Sequence, residues 1–251
     1  MRNIVRQKWK EACIDKSELK KVWGGIFDNI TILTINKLME KKIIGSLLSL
    51  IKQGKESKIV LGLNTEDEPI IVKIYGIEAL NFKKLYLYIS GDDRFKNIKQ
   101  DRRSVVYAWC KKEFANTSIA YKSGVACPRP EGFLNNVYVM SFIGKRDGEF
   151  VPAPKLADIE IENPGALFED IVSEIKKFYS AGLVHGDLSE YNILYHEGKA
   201  YIIDWSHSVL NSHPNAEMLL KRDVENICRF FKKEGVACSP EEVMKKIKEQ
   251  Q

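Results

Sequence analysis

The chain has 251 residues, 44% of them hydrophobic, and carries 39 Lys and Arg against 34 Asp and Glu, a formal net charge of +5. This composition excludes a disordered chain and fits one two-lobed domain or two small ones; the mild basicity permits RNA contact, although a solvated lysine-rich surface explains it as well. Five scattered cysteines (Cys13, Cys110, Cys127, Cys228 and Cys238) form no Cys-x-x-Cys pair, which argues against a zinc site or a disulfide framework, and with no apolar run of membrane length and no leader the expectation is a cytoplasmic protein.

Residues 1–26 are charged, with aromatics at Trp9 and Trp23, and Gly24-Gly25 interrupts any helix there. Asp28 or Asn29 is placed to cap a helix over Ile30–Lys41, whose apolar stripe is Ile32, Leu33, Ile35 and Leu38-Met39. Such a helix suits an accessory unit packed on the domain that follows. From Gly45 the period changes. Leu47–Ile51 and Lys58–Leu63 read as paired strands about a tight turn, Lys52-Gln53-Gly54-Lys55-Glu56-Ser57. A glycine turn of this kind can lie over a triphosphate and offer it backbone N–H groups, and it can equally be an ordinary hairpin.

The next strand, Pro69–Tyr75, holds a single lysine, Lys73, in an apolar run. Its place, two strands after the glycine turn, matches the lysine of the kinase Val-Ala-Ile-Lys strand. A buried ammonium requires a partner. Residues 76–103 are charged and poorly periodic, long for a connection and so expected to be mobile or functional. Within them Lys83–Arg103 is expected to be a mobile loop used for partner or substrate contact rather than a packed part of the lobe. A helix is expected over Ser104–Lys122. Trp109 and Glu113, four apart, share one of its faces, and Glu113 is the candidate partner of Lys73.

Cys127-Pro128-Arg129-Pro130 cannot be helical and leads into strands at Gly132–Leu134 and Val137–Phe142 about an Asn135-Asn136 turn. The run Val139-Met140-Ser141-Phe142-Ile143-Gly144 leaves a strand at the place where a kinase hinge would read adenine through its backbone, and it can equally be an ordinary strand end. Val151–Pro154 is extended. A helix over Leu167–Ser180 is ended by Gly182.

The most informative stretch is Leu183–Trp205, LVHGDLSEYNILYHEGKAYIIDW. His185-Gly186-Asp187 is followed by Asn192, and two apolar runs about a turn at Glu197–Lys199 predict a hairpin bringing Asn192 and Asp204 to one end, beside Asp187. The pattern is the kinase His-x-Asp-x-x-x-x-Asn loop followed by a strand-end Asp. In it Asp187 orients or deprotonates the nucleophile, and Asn192 and Asp204 hold magnesium on the phosphates. His185 is expected to support the loop by hydrogen bonding. After Asp204 only two helices are expected, over Asn215–Lys233 and from Ser239-Pro240 onward.

Taken together these residues resemble the RIO family of atypical serine/threonine protein kinases, most closely its RIO-one branch. The likeness runs through Phe27-Asp28, Gly54-Lys55-Glu56, Ile71–Tyr75, Trp109, Lys112-Glu113, Met140–Gly144, Leu183–Asn192, Tyr201–Asp204, His213-Pro214 and Arg222-Asp223. The resemblance implies an α+β, bilobal protein-kinase-like fold: a helical N-terminal extension (1–43), a β-rich N-lobe (44–138), and a hinge with a short helical C-lobe (139–251). It implies ATP and magnesium (with manganese as a substitute), a protein kinase that is also an ATPase, and phosphate transferable to Asp204. It also implies a role in maturing the small ribosomal subunit, whose precursor would be the partner of a monomeric enzyme.

The catalytic residues carried over are Asp187 and Asp204, and the metal ligands are Asn192 and Asp204. The nucleotide-binding set is Lys52, Gly54, Lys55, Glu56, Ser57, Lys73, Glu113, Met140, Ser141, Phe142, Ile143, Glu190 and Asn192. Two positions depart from the family. Its usual Ser-Thr-Gly-Lys-Glu-Ala-Asn loop is replaced by Lys52–Lys58, which loses a phosphate-reaching hydroxyl and gains lysines, and Ser141 stands where the hinge usually has Glu. Two other readings share parts of this pattern. One is a small-molecule kinase of the aminoglycoside or choline type; the other is a nucleotide-binding assembly factor whose output is a conformational change on RNA.

Overall fold

The computed structural model describes residues 23–78, 85–86, 88–89, 91–95 and 98–249. The fold opens with α1 (Asn29–Glu40), capped by Asp28, whose carboxylate accepts from the Thr31 N–H at 2.9 Å. An antiparallel sheet of order β1-β2-β3-β5-β4 follows, from β1 (Ser46–Gln53), β2 (Ser57–Leu63), β3 (Pro69–Tyr75), β4 (Pro130–Leu134) and β5 (Val137–Ser141). Helix α2 (Arg102–Lys122) is inserted between β3 and β4. The boundary expected between 138 and 139 falls inside β5.

Strand periodicity decides which face of this sheet does what. On β3, Ile70, Val72 and Ile74 point to one side and pack with Ile32, Ile35 and Leu38 of α1. Ile71, Lys73 and Tyr75 therefore point to the other side, toward α2. The accessory helix is thus a second layer on the back of the sheet, as expected from its stripe. One member of that stripe is corrected: Leu33 is 59% exposed. Thr31 and Thr34 are buried instead, because the β4–β5 turn reaches them: Asn136 Nδ2 donates to Thr31 Oγ1 and Asn135 Nδ2 to Thr34 Oγ1, both at 3.0 Å. Their hydroxyls satisfy polar groups that a leucine there would leave unpaired.

The charged stretch 76–103 is also corrected where it is described. Leu85, Ile89 and Phe95 are buried in a cluster with Trp109 and Tyr138. Arg94 pairs with Asp92 at 2.6 Å and donates to Asn116 Oδ1 at 2.8 Å, so charge that looked too polar to bury is neutralised pairwise. Arg102 is paired with Glu78. Lys83, Lys84 and Lys96 lie outside the described residues, as do Trp9 and Cys13.

Beyond β5 the chain crosses to a helical half. A small hairpin, β6 (Gly144–Asp147) with β7 (Glu149–Pro152), precedes α3 (Pro164–Ser180), capped by Asn163. Then come β8 (Leu183–Val184), the hairpin β9 (Ile193–His196) and β10 (Lys199–Ile202), β11 (Val209–Leu210), α4 (Ala216–Lys233) and α5 (Pro240–Lys248). The β6–β7 hairpin and the β8–β11 pairing were not anticipated, since four-residue and two-residue strands carry too little pattern to read. Their partners are supplied by the tertiary fold. The core of this half joins Phe168, Ile175 and Phe178 of α3 to Leu220, Ile227 and Phe231 of α4.

If α1 is an integral layer, Leu38→Ala should cost about 3 kcal/mol, the usual loss for a leucine removed from a packed core. Urea unfolding of the variant measures this; an unchanged midpoint would show that the helix rests on the sheet without stabilising it.

Candidate active site

Between the two halves lies a cleft of about 620 Å³. Its roof is the β1–β2 turn: Lys52, Gly54, Lys55, Glu56 and Ser57 line it, with Ile59 and Ile71 from the strands. Its back edge is Met140, Ser141, Phe142 and Ile143, and its floor is Leu194, Ile203, Asn192 and Asp204. Lys73 and Glu113 lie deepest. The expected nucleotide-binding residues therefore converge, except Glu190, which lies outside the lining. Its neighbour Tyr191 occupies the rim, 57% exposed, with the Lys155 ammonium 5.8 Å from its ring centre. The short 3-10 turn Glu190–Asn192 brings Tyr191 and Asn192 to the cleft and leaves Glu190 outside it, a choice that spacing alone did not reveal.

Lys73 Nζ sits 2.7 Å from Glu113 Oε1 and 3.0 Å from Asp204 Oδ1. One ammonium therefore ties the sheet, α2 and the end of the β9–β10 hairpin. Burial opposes the charge on Lys73, but Asp204 and Glu113 outweigh it and hold its pKa above the ordinary lysine value. Burial also pushes Glu113 up, with Lys73 offsetting only part of the effect. For Asp204 the enclosing protein acts in the same direction, yet Lys73 and the Ser206 hydroxyl prevail and hold it well below the carboxylate range. The Tyr75 hydroxyl donates to Glu113 Oε2, completing that carboxylate. Tyr75 was not singled out in sequence, although it shares the face of Lys73 by strand period.

The loop that carries Asp187 is held from below by α4. Asp223 accepts from the Gly186 N–H at 2.7 Å and from the Leu188 N–H at 2.9 Å, and Arg222 donates to the Gly186 carbonyl. Gly186 has φ +77°, and a Cβ there would meet the His207 carbonyl at 2.9 Å, so glycine is required. Burial pushes Asp223 up to about 7 against those two N–H groups. His185 is buried, with its Nε2 3.1 Å from the Ile203 carbonyl, and burial pushes it down to about 4. It supports the loop as expected. Asp187, bracketed by these contacts, is itself exposed.

Asn192 Nδ2 donates to the Asp187 carbonyl at 2.8 Å and to Asp187 Oδ2 at 3.2 Å. Asn192 Oδ1 accepts from no described residue. Asp204, at φ +63°, occupies the left-handed region, a strained position for a non-glycine residue. Its Oδ2 receives no hydrogen bond from any described residue, and its side chain is 39% exposed. Two free oxygens beside an excess of negative charge fit a magnesium ion, which prefers oxygen and takes its remaining ligands from phosphate and water. No cluster of three acidic, histidine or cysteine side chains fit to hold a metal alone occurs among the described residues.

At the hinge the Phe142 N–H donates to the Pro69 carbonyl and the Ile143 carbonyl accepts from the Ala153 N–H. Among the described residues the Ile143 N–H has no partner and is available to a base in the cleft. Ser141 Oγ accepts from the Arg129 N–H at 2.8 Å, so the residue that replaces the expected glutamate anchors the strand edge. Lys58 does not face outward: its Nζ donates to the Ile26 carbonyl at 2.7 Å and lies 5.6 Å from the Phe27 ring centre.

A family model for the RIO domain matches residues 58–244. The chain is 40% identical over 215 residues to a RIO-type serine/threonine-protein kinase Rio1 of Haloferax volcanii, covering 86% of this chain and 73% of that one. It is 38% identical over 228 residues to the Methanocaldococcus jannaschii protein of the same description, covering 90% and 77%. The human serine/threonine-protein kinase RIO1 is 36% identical over 217 residues, covering 84% of this chain and 38% of the longer human one. Among solved structures, the Rio2 kinase of Chaetomium thermophilum superposes with a TM-score of 0.68 at 25% identity, covering 87% and 68%. Its complex described as Rio2 kinase-ADP/Mg2+-phosphoaspartate superposes at 0.67 and 24% identity, covering 87% and 66%.

Lys112 is fully buried one residue before Glu113, and its Nζ donates to the carbonyls of Ser206 and Ser208. Burial pushes it down to about 7, and a neutral amine has two N–H groups for those two acceptors. Between about pH 7 and its ordinary value of 10.5 the unfolded chain keeps this proton while the folded chain has lost it. Stability should therefore rise with pH across that window. Lys112→Met should flatten the rise, as urea unfolding at pH 7, 8 and 9 would measure; an identical slope in the two proteins would contradict it.

Proposed function

The chain belongs to the RIO domain family of serine/threonine kinases, and from that premise we propose that it is an ATP- and magnesium-dependent kinase and ATPase acting on the precursor of the small ribosomal subunit. The observation that carries the reading is the Lys73 ammonium between Glu113 and Asp204 at the base of the cleft. Ile59, Ile71, Leu194 and Ile203 supply apolar walls for a base, the free Ile143 N–H a polar contact, and Lys52 and Lys55 the cations above the phosphates. Magnesium on Asp204 Oδ2 and Asn192 Oδ1 would neutralise charge on the phosphates.

Asp187 orients the acceptor hydroxyl and takes its proton as the hydroxyl oxygen bonds to the γ-phosphorus and ADP leaves with the electron pair of the broken bond. Asp204 serves a second turn when no hydroxyl is present, accepting the phosphoryl group and releasing it to water. A small-molecule kinase is less well supported, since the RIO domain model matches residues 58–244 and the similar curated proteins are described as serine/threonine-protein kinases. The ribosomal partner is suggested by the family resemblance, and the net charge of +5 permits contact with RNA. ATP turnover that responds to small-subunit particles and not to small hydroxyl compounds would support it, and the reverse would favour the small-molecule kinase.

Asp187→Ala should lower turnover by about 10²–10⁴-fold while ADP still binds, the usual loss when a positioned base is removed. Parent-like turnover in that variant would sink the assignment. Lys73→Ala and Glu113→Ala should each impair turnover, and the double variant should be little worse than either, because the two act as a unit. Additive losses would argue against a shared role.

A further inference from the structure

The two oxygens of Asp204 are treated differently. Oδ1 accepts from Lys73 Nζ at 3.0 Å and from Ser206 Oγ at 2.7 Å, whereas Oδ2 accepts from no described residue. Lys73 is shared with Glu113, so it cannot by itself fix the tilt of the Asp204 carboxylate. Ser206 is 3% exposed, and its Oγ also lies 3.3 Å from His207 Nδ1. A carboxylate only accepts, so the one hydroxyl proton of Ser206 points at Asp204, and its lone pairs are left to face His207.

The backbone under this serine is fixed as well. Lys112 holds the carbonyls of Ser206 and Ser208, and Asn116 Nδ2 holds those of Trp205 at 3.1 Å and Ser208 at 2.8 Å. The His207 ring packs edge-on to Trp109 and Tyr88. The hydroxyl is therefore a buried donor whose direction is set from three sides. It ends on Asp204 Oδ1, the same oxygen that Lys73 holds.

We propose that Ser206 is a positioning residue of the phosphotransfer site: with Lys73 it saturates Asp204 Oδ1 and presents Oδ2 as the oxygen that takes the divalent cation and the phosphoryl group. The proposal rests on the kinase reading above. When Asp204 is the acceptor, Oδ2 enters as a carboxylate oxygen and bonds to the γ-phosphorus. The bond from that phosphorus to the oxygen bridging the β-phosphate breaks, ADP leaves with the electron pair, and no proton moves. Lys73 and Ser206 remain on Oδ1, which becomes the carbonyl oxygen of the acyl phosphate.

Calorimetric titration of ADP, with and without magnesium, tests this on the full chain and on Ser206→Ala, Ser206→Cys and Ser206→Thr. Without magnesium, all four proteins should bind ADP alike. The gain in affinity that magnesium brings should fall about tenfold or more in the alanine and cysteine variants, the worth of one hydrogen bond to a charged group, and be kept by threonine. Cysteine nearly preserves the volume of serine while donating weakly, so it decides the matter should the alanine variant fail to fold. A parent-like magnesium gain in the folded cysteine variant would overturn the role of Ser206. A parent that gains nothing from magnesium would instead refute the metal site itself, and this role with it.

Discussion

A single desolvated ammonium sets the geometry of this protein. Lys73 leaves the middle of the sheet and meets a carboxylate from α2 and another from the end of the β9–β10 hairpin. The side chains of Lys73 and Glu113 are 8% and 1% exposed, so neither charge has water to fall back on. Removing one partner of such a pair costs about 3–5 kcal/mol, because the other is left buried and uncompensated. The same contact leaves a residue: two carboxylates face one ammonium. The uncompensated negative charge lies at Asp204, on the cleft side, where a divalent cation bound to phosphates would be attracted.

The helix that supplies Glu113 does more than complete the pair. Lys112 and Asn116, on the same helix, hold the backbone carbonyls of 205, 206 and 208, and Asn116 is held in turn by Arg94. In this arrangement α2 and the turn after Asp204 are joined by buried polar contacts, so withdrawing the helix would strand several acceptors at once. Below the loop that carries Asp187, Arg222 and Asp223 do the corresponding work from α4. Asp187 and Asp204 are thus positioned from opposite lobes, the first by α4 and the second by β3 and α2.

Much of this was legible in the sequence, for physical reasons. Lys73 stood out because a lone lysine in an apolar strand must be paired, and Glu113 because helical spacing put it beside Trp109. Asn192 and Asp204 were placed together by a hairpin whose turn and two apolar runs fix its register. What escaped was set by distant contacts. Thr31 and Thr34 are buried because two asparagines from a remote turn reach them. Lys112 was noted only as the neighbour of Glu113 in the family pattern, since nothing local announces the two carbonyls that receive it. The stretch 76–103 was misjudged because composition counts charges but does not show that Asp92 and Arg94 cancel, or that Leu85, Ile89 and Phe95 anchor it. Tyr191 was passed over for Glu190 because one turn of 3-10 helix decides which of them faces the cleft.

The account stands or falls on where a metal nucleotide binds. The most direct measurement is a crystal structure of the protein with ADP and magnesium. The account predicts the base against Ile71 and Leu194, and the ion about 2.1 Å from both Asp204 Oδ2 and Asn192 Oδ1, the distance magnesium keeps to oxygen. A nucleotide lying outside this cleft, or an ion bound there through neither Asp204 nor Asn192, would contradict it.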